Sequence, residues 1–88
     1  MVLNLIWSDE AIKHLEFFKR DNPKLGNRIQ QLIQNIQQTP YAGIGKPEPL
    51  KHRMTGLWSR RIDQKHRLIY SVNQTMNIIE IVSCKGHY

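Results

Sequence analysis

Three stretches of this 88-residue sequence carry side chains suited to acid–base chemistry on a phosphodiester. The first is WSRRIDQKHRLIY, residues 58–70, which sets Arg60, Arg61, Lys65, His66 and Arg67 against a single acid, Asp63. It alternates like a hairpin, and like charges facing each other across a hairpin cost a few tenths to about 1 kcal/mol. A three-residue turn places Arg61 opposite Arg67, whereas a two-residue turn places Arg60 opposite Arg67. Both registers bring two guanidiniums together, and guanidinium forks match phosphate oxygens while keeping their charge. Any one of these arginines can be accounted for by pairing with Asp63, Glu48 or Glu80; the cluster points to a bound anion.

The second stretch is GKPEPLKH, residues 45–52. Glu48 stands between Pro47 and Pro49, which restrict the backbone on both sides of it. A carboxylate on a stiff segment beside Lys46, Lys51 and His52 can serve as a general base toward a ribose hydroxyl; the competing reading is a surface acid paired with a lysine. The third stretch, SCKGHY, carries His87 and Tyr88. An imidazole can donate a proton to a leaving alkoxide near neutral pH, and the tyrosine offers a ring for stacking and a hydroxyl donor; the competing reading is a frayed polar tail. Base, acid, cationic clamp and aromatic platform are what RNA cleavage through the neighbouring 2′-hydroxyl requires. Each acid–base group contributes about 10²–10⁴-fold to such a reaction. Cys84 and His87 have zinc-ligand spacing, but no second pair of that kind accompanies them, so neither a metal nor another cofactor is expected.

These groups need a scaffold, and the chain has room for one domain over residues 1–88. Val2–Trp7 reads as a strand. Ser8 is a helix N-cap followed by Asp9 and Glu10, and Ala11, Ile12, Leu15 and Phe18 recur at helical spacing to about Arg20. Asn22 and Pro23 restart the chain as N-cap and first helical residue of a second helix, with Leu25, Ile29, Leu32, Ile33 and Ile36 as its apolar stripe, ending near Gln38. Residues 39–56 have no periodicity and hold three of the four prolines; so long an irregular connection is usually functional. Strands are expected over residues 57–62, 65–72 and 77–84. Strand, two helices, then a three-strand antiparallel meander is the pattern of an α+β fold with its helices on one face of a mainly antiparallel sheet.

Charge separates the halves. Residues 1–42 hold five Lys/Arg and four Asp/Glu, whereas residues 43–88 hold eight against three, with three of the four histidines. That asymmetry suits a polyanion, with nucleic acid ahead of an acidic protein and anionic lipid last. One cysteine excludes an internal disulfide and suits a reducing cytoplasm. The opening MVLNLIW lacks the basic leader and small-residue cleavage site of a signal peptide, and no apolar run approaches the roughly 18 residues of a membrane span.

The run TPYAGIGKPEPLKHRMTGLWSRRIDQKHRLIYSV with the closing CKGHY is similar to the YoeB (Txe/YoeB) family of bacterial toxins within the RelE-like superfamily. The similarity extends less distinctively to the opening LIWS and the two helices. The resemblance implies a microbial-ribonuclease-like α+β fold and a ribosome-dependent endoribonuclease, an mRNA interferase that cuts mRNA in the ribosomal A site and inhibits translation. It implies Glu48 as general base, Arg67 as the arginine that stabilises phosphate charge, and His87 as general acid, with Lys51, Arg61 and Tyr88 in support; it also favours the register that pairs Arg61 with Arg67. Gly86 stands where some relatives carry a bulkier aromatic residue. Implied partners are a cognate YefM- or Axe-like antitoxin whose C-terminal segment covers the site, mRNA on the ribosome, a second toxin copy, and operator DNA through the antitoxin alone. A second reading from the residues is a non-catalytic RNA- or antitoxin-binding module, which would need neither Glu48 nor His87. A DNA-reading repressor fits poorly, because no helix gathers base-reading Arg, Asn and Lys on one exposed face.

Overall fold

The structure, a computed structural model, describes residues 2–86. Five strands form one sheet: β1 (Asn4–Trp7), β2 (Glu48–Pro49), β3 (Trp58–Arg61), β4 (Arg67–Asn73) and β5 (Ile78–Ser83), in the spatial order β1-β5-β4-β3-β2. Helices α1 (Asp9–Asp21) and α2 (Pro23–Gln38) are grouped on one face, so the fold is α+β as its element order predicts. The sheet is antiparallel except where β1 runs parallel to β5.

The helix boundaries follow their caps. The Ser8 hydroxyl accepts from the Ala11 N–H at 3.0 Å and donates to the Val82 carbonyl at 2.7 Å, which starts α1 and fastens it to β5 together. The Asn22 Oδ1 accepts from the Leu25 N–H at 3.4 Å, with Pro23 in the first turn where its missing N–H costs nothing. Ala11 and Phe18 from α1 and Ile29, Leu32, Ile33 and Ile36 from α2 form the helical half of the core. Leu68 and Tyr70 of β4 and Ile79 and Ile81 of β5 form the sheet half.

Strand alternation sends the intervening residues to the other face. On that face lie Arg67 and Ile69 of β4, Ser59 and Arg61 of β3, and Glu48 of β2. Ile69 is fully buried yet belongs to no part of the helix-side core. The fifth strand is a departure from the four that the sequence suggests. Residues 39–56 are not wholly irregular: Glu48–Pro49 pairs with β3, and His52–Met54 forms a short 3-10 turn. A bulge separates β4 from β5, since Ile69 pairs with Ser83 while Tyr70 pairs with Ile81. The extra residue, Val82, bends the end of β5 where the chain runs on toward its C-terminus.

Candidate active site

The register of the β3–β4 hairpin settles the choice left open by its sequence. Arg61 lies opposite Arg67, and Arg60 opposite Leu68. The turn is fixed by Asp63, whose Oδ1 accepts from the N–H groups of Lys65 at 2.9 Å and His66 at 2.6 Å. Burial alone would raise the Asp63 pKa, but these two backbone donors, helped by the nearby His66 and Arg67, hold it below the usual carboxylate value.

The backbone amides of the two paired arginines point away from each other. The Arg61 N–H donates to the Gly45 carbonyl at 2.7 Å, and the Arg67 N–H donates to the Gly86 carbonyl at 2.7 Å. The pair is thus a non-hydrogen-bonded one, the kind in which side chains stand closest. It also gathers the site from three distant parts of the chain. One amide holds the segment leading to Glu48, and the other holds the segment leading to the C-terminus.

These elements enclose a cavity of about 110 Å³ lined by Lys46, Glu48, Leu50, Ser59, Arg61, Arg67 and Ile69. Glu48 pairs with Ser59, which in turn pairs with Ile69, so a row across three strands floors it with the buried Ile69. Among the described residues the Glu48 carboxylate has no hydrogen-bond or ion-pair partner, although Lys46 and two arginines line the same cavity. The reading of Glu48 as an acid neutralised by a lysine is therefore not what the site presents. Arg67 is half-buried, with Nη1 donating to the carbonyls of Asp63 at 2.9 Å and His66 at 3.1 Å. Those bonds orient its guanidinium. Arg61, on the exposed side of β3, makes no such bond among the described residues.

Arg60 requires a correction. Expected among the phosphate ligands, it is fully buried on the helix side of the sheet. Its Nε donates to the Tyr70 hydroxyl at 3.1 Å, Nη1 to Asn35 Oδ1 and to the Ile44 carbonyl at 3.0 Å, and Nη2 to the carbonyls of Thr39 at 2.6 Å and Ala42 at 2.9 Å. The Tyr70 hydroxyl in turn donates a hydrogen bond to the Pro40 carbonyl at 2.7 Å; burial raises its pKa, against the opposing influence of Arg60. Arg60 is the post around which residues 39–44 are wound, and alternation leaves it no path to the cavity.

That winding delivers Glu48. Gly45 has φ +82°, and a Cβ there would lie 2.7 Å from Leu32 Cδ2 and 3.2 Å from Arg60 Cβ. Only glycine permits so close an approach in that conformation. Lys46 follows with φ 51°, a left-handed backbone uncommon outside glycine.

Lys51 is exposed where the 3-10 turn begins and does not line the cavity. His87 and Tyr88, expected as general acid and stacking platform, lie outside the described residues. Two cations absent from the sequence-based site belong to it. Lys46 lines the cavity, and Arg28 of α2 joins Arg61, Ile62, Asp63, Gln64 and Arg67 around an adjoining groove of about 440 Å³. Lys46 is signalled by its place two residues before Glu48 in sequence; Arg28, on a helix remote in sequence, has no such signal.

Cys84 is buried, its thiol pushed up to about 12 by burial, with Sγ 3.6 Å from the Ala11 carbonyl. A protonated thiol facing a carbonyl is a poor metal ligand.

Residues 7–88 match the family described as the YoeB-like toxin of bacterial type II toxin–antitoxin systems. The chain belongs to that family. It is 41% identical to Toxin YoeB of Escherichia coli strain K12 over 86 residues, which covers 98% of this chain and all of that one. Its fold superposes on the YoeB/ParE toxin from Agrobacterium tumefaciens with a TM-score of 0.94 at 41% identity, covering 98% of this chain and 100% of that one. It is similar as well to YoeB of Staphylococcus aureus, solved as a dimer (TM-score 0.90, 40% identity) and in complex with YefM (0.87, 42%), with full coverage of both chains in each case. As a YoeB-like toxin the chain is one half of a toxin–antitoxin system.

Proposed function

We propose that this YoeB-like toxin is a metal-independent endoribonuclease that cuts translated mRNA in the ribosomal A site and so inhibits translation. The observation that carries the reading is one cavity lined by Arg61, Arg67 and a Glu48 carboxylate that has no partner among the described residues. A binding module gains nothing from an acid among the cations that attract its ligand. A phosphodiester-cleaving site needs both.

Glu48 removes the proton from the 2′-hydroxyl, and the oxygen attacks the adjacent phosphorus. Arg67, braced by its two carbonyl contacts, and Arg61 opposite stabilise the charge that builds on the pentacoordinate phosphorus. His87, next in the chain after the anchored Gly86, donates a proton to the departing 5′-oxygen. Tyr88 stacks on a base, and Lys51 and Lys46 add to the positive field around the backbone. The products carry a 2′,3′-cyclic phosphate and a 5′-hydroxyl.

The antitoxin would be a YefM-like protein, as in the Staphylococcus aureus complex, placing an acidic segment over the basic face; the dimer solved for that relative suggests self-association here too. Operator DNA is reached only through the antitoxin. Expression in the cytoplasm, where ribosomes are, fits a chain with no helix long and apolar enough to cross a membrane among the described residues.

The test is to map cuts in a translated mRNA with wild-type protein, Glu48→Gln and His87→Ala. Cuts bearing cyclic or 3′-phosphate ends with the wild type, lost in both variants, are expected. A 3′-hydroxyl end, or cleavage equal in all three proteins, would overturn the mechanism; binding without any cleavage would leave the non-catalytic module as the function.

A further inference from the structure

Beyond the bulge, residues 84–86 are each held by a different partner. The Cys84 N–H donates to His14 Nδ1 at 3.1 Å. The Lys85 ammonium sits 4.1 Å from the centre of the Phe17 ring. The Gly86 N–H donates to His66 Nδ1 at 2.9 Å, while the Gly86 carbonyl accepts from the Arg67 N–H. Gly86 is thus clasped by consecutive residues of the basic hairpin, one through its side chain and one through its backbone.

His66 is itself rigidly placed. Its ring stands edge-on to Phe18, with centroids 5.1 Å apart and planes at 70°. Its N–H is held by Asp63, and its carbonyl accepts from the Ile62 N–H and from Arg67 Nη1. The same residue therefore orients the Arg67 guanidinium and grips the segment that leads to His87. Because Nδ1 accepts a proton donor, it must be the unprotonated nitrogen, and the ring must be neutral for the clasp to exist.

We propose that His66 is a positioning residue whose unprotonated Nδ1 holds the C-terminal segment in register with Arg67. The inference rests on the reading of His87 as general acid, since the clasp matters to cleavage only if the chain beyond Gly86 takes part. His14 repeats the arrangement at Cys84, two residues upstream of Gly86, with a ring that burial biases toward the neutral form.

His66→Ala and His66→Asn separate the acceptor from the ring, since both lose the contact with Phe18 but asparagine keeps an oxygen near the Nδ1 position and does not titrate. Hydrogen exchange at the Gly86 amide and single-turnover cleavage are measured for both and for the wild type. In the alanine variant, Gly86 protection and the cleavage rate constant are expected to fall roughly five- to hundred-fold with KM unchanged. Asparagine restores most of both. Equal Gly86 protection in all three proteins would overturn the clasp, and equal loss of cleavage in both variants would overturn its part in positioning the segment. The exchange measurement needs no activity, so the expected protection pattern in a wild type that cuts no RNA would uphold the clasp and remove the role assigned to His87.

Discussion

Replacing Arg60 with methionine separates two adjacent arginines that look interchangeable in the sequence. Methionine approximates the volume of the buried side chain but removes donors to Tyr70, Asn35, Ile44, Thr39 and Ala42 together. A buried group left unsatisfied costs about 1–3 kcal/mol. The loop carbonyls can recover water when the loop loosens, so the low end of that range applies to each of them. Removing a desolvated charge returns part of the loss, which leaves a net destabilisation of roughly 3–5 kcal/mol. With a urea dependence of about 1–1.5 kcal/mol per molar for a domain this small, the midpoint falls by roughly 2–5 M. Arg60→Lys recovers little, because one ammonium cannot span acceptors arranged around a planar fork. Arg61→Ala, by contrast, leaves the midpoint within about 0.5 M of wild type, as expected for an exposed surface position, while weakening RNA binding. Urea unfolding followed by tryptophan fluorescence measures all three. A midpoint for Arg60→Met within about 0.5 M of wild type would refute the view that this side chain organises residues 39–44.

Arg67→Ala lowers cleavage far more than Lys13→Ala, whose side chain is exposed on α1 away from the cavity; similar losses in a cleavage assay would mean diffuse electrostatics instead of a clamp. Gly45→Ala costs about 1–3 kcal/mol in urea unfolding and displaces Glu48, because the added Cβ meets Leu32 and Arg60 at a positive φ. Arg28→Ala weakens RNA binding equally across sequences and reduces the slope of log affinity against log salt by about 0.7, read by titration at several salt concentrations. The Asp63 carboxyl, held below its ordinary 3.8 in the native protein, contributes stability that is present above that value and is lost as pH falls through the lower native pKa. The difference in urea midpoint between wild type and Asp63→Ala should accordingly shrink between pH 7 and strongly acidic buffer.

Much of the scaffold is legible because local signals agree with the final fold. Ser8 with its following acids, and Asn22 with Pro23, start helices whose apolar stripes become the core. The hairpin is legible only as two alternatives, since what selects between them is the Asp63 carboxylate closing its own turn. Arg60 is misread because charge is taken as a mark of exposure. The sequence holds a clue, for Trp58 and Ile62 flank Arg60 in the row that faces the helices, but the loop carbonyls that neutralise it belong to residues 39–44 and cannot be placed beforehand. Strand β2 is two residues long and contains a proline, so it has no periodicity to detect. The meeting of Glu48 with Arg61 and Arg67 depends on the Gly45 contact, a long-range event that the family resemblance implies and local reasoning does not.

The position of β5 has a consequence for synthesis. Strand β1 leaves the ribosome first, yet its only neighbour in the sheet is β5, and the Ser8 hydroxyl meets the Val82 carbonyl across 74 positions of chain. A nascent chain therefore cannot complete its sheet until β5 has emerged, and before then β1 and the helix that follows it have no sheet to close against. A truncation ahead of Ile78 therefore leaves β1 without the strand it pairs with and removes the end of the chain as well.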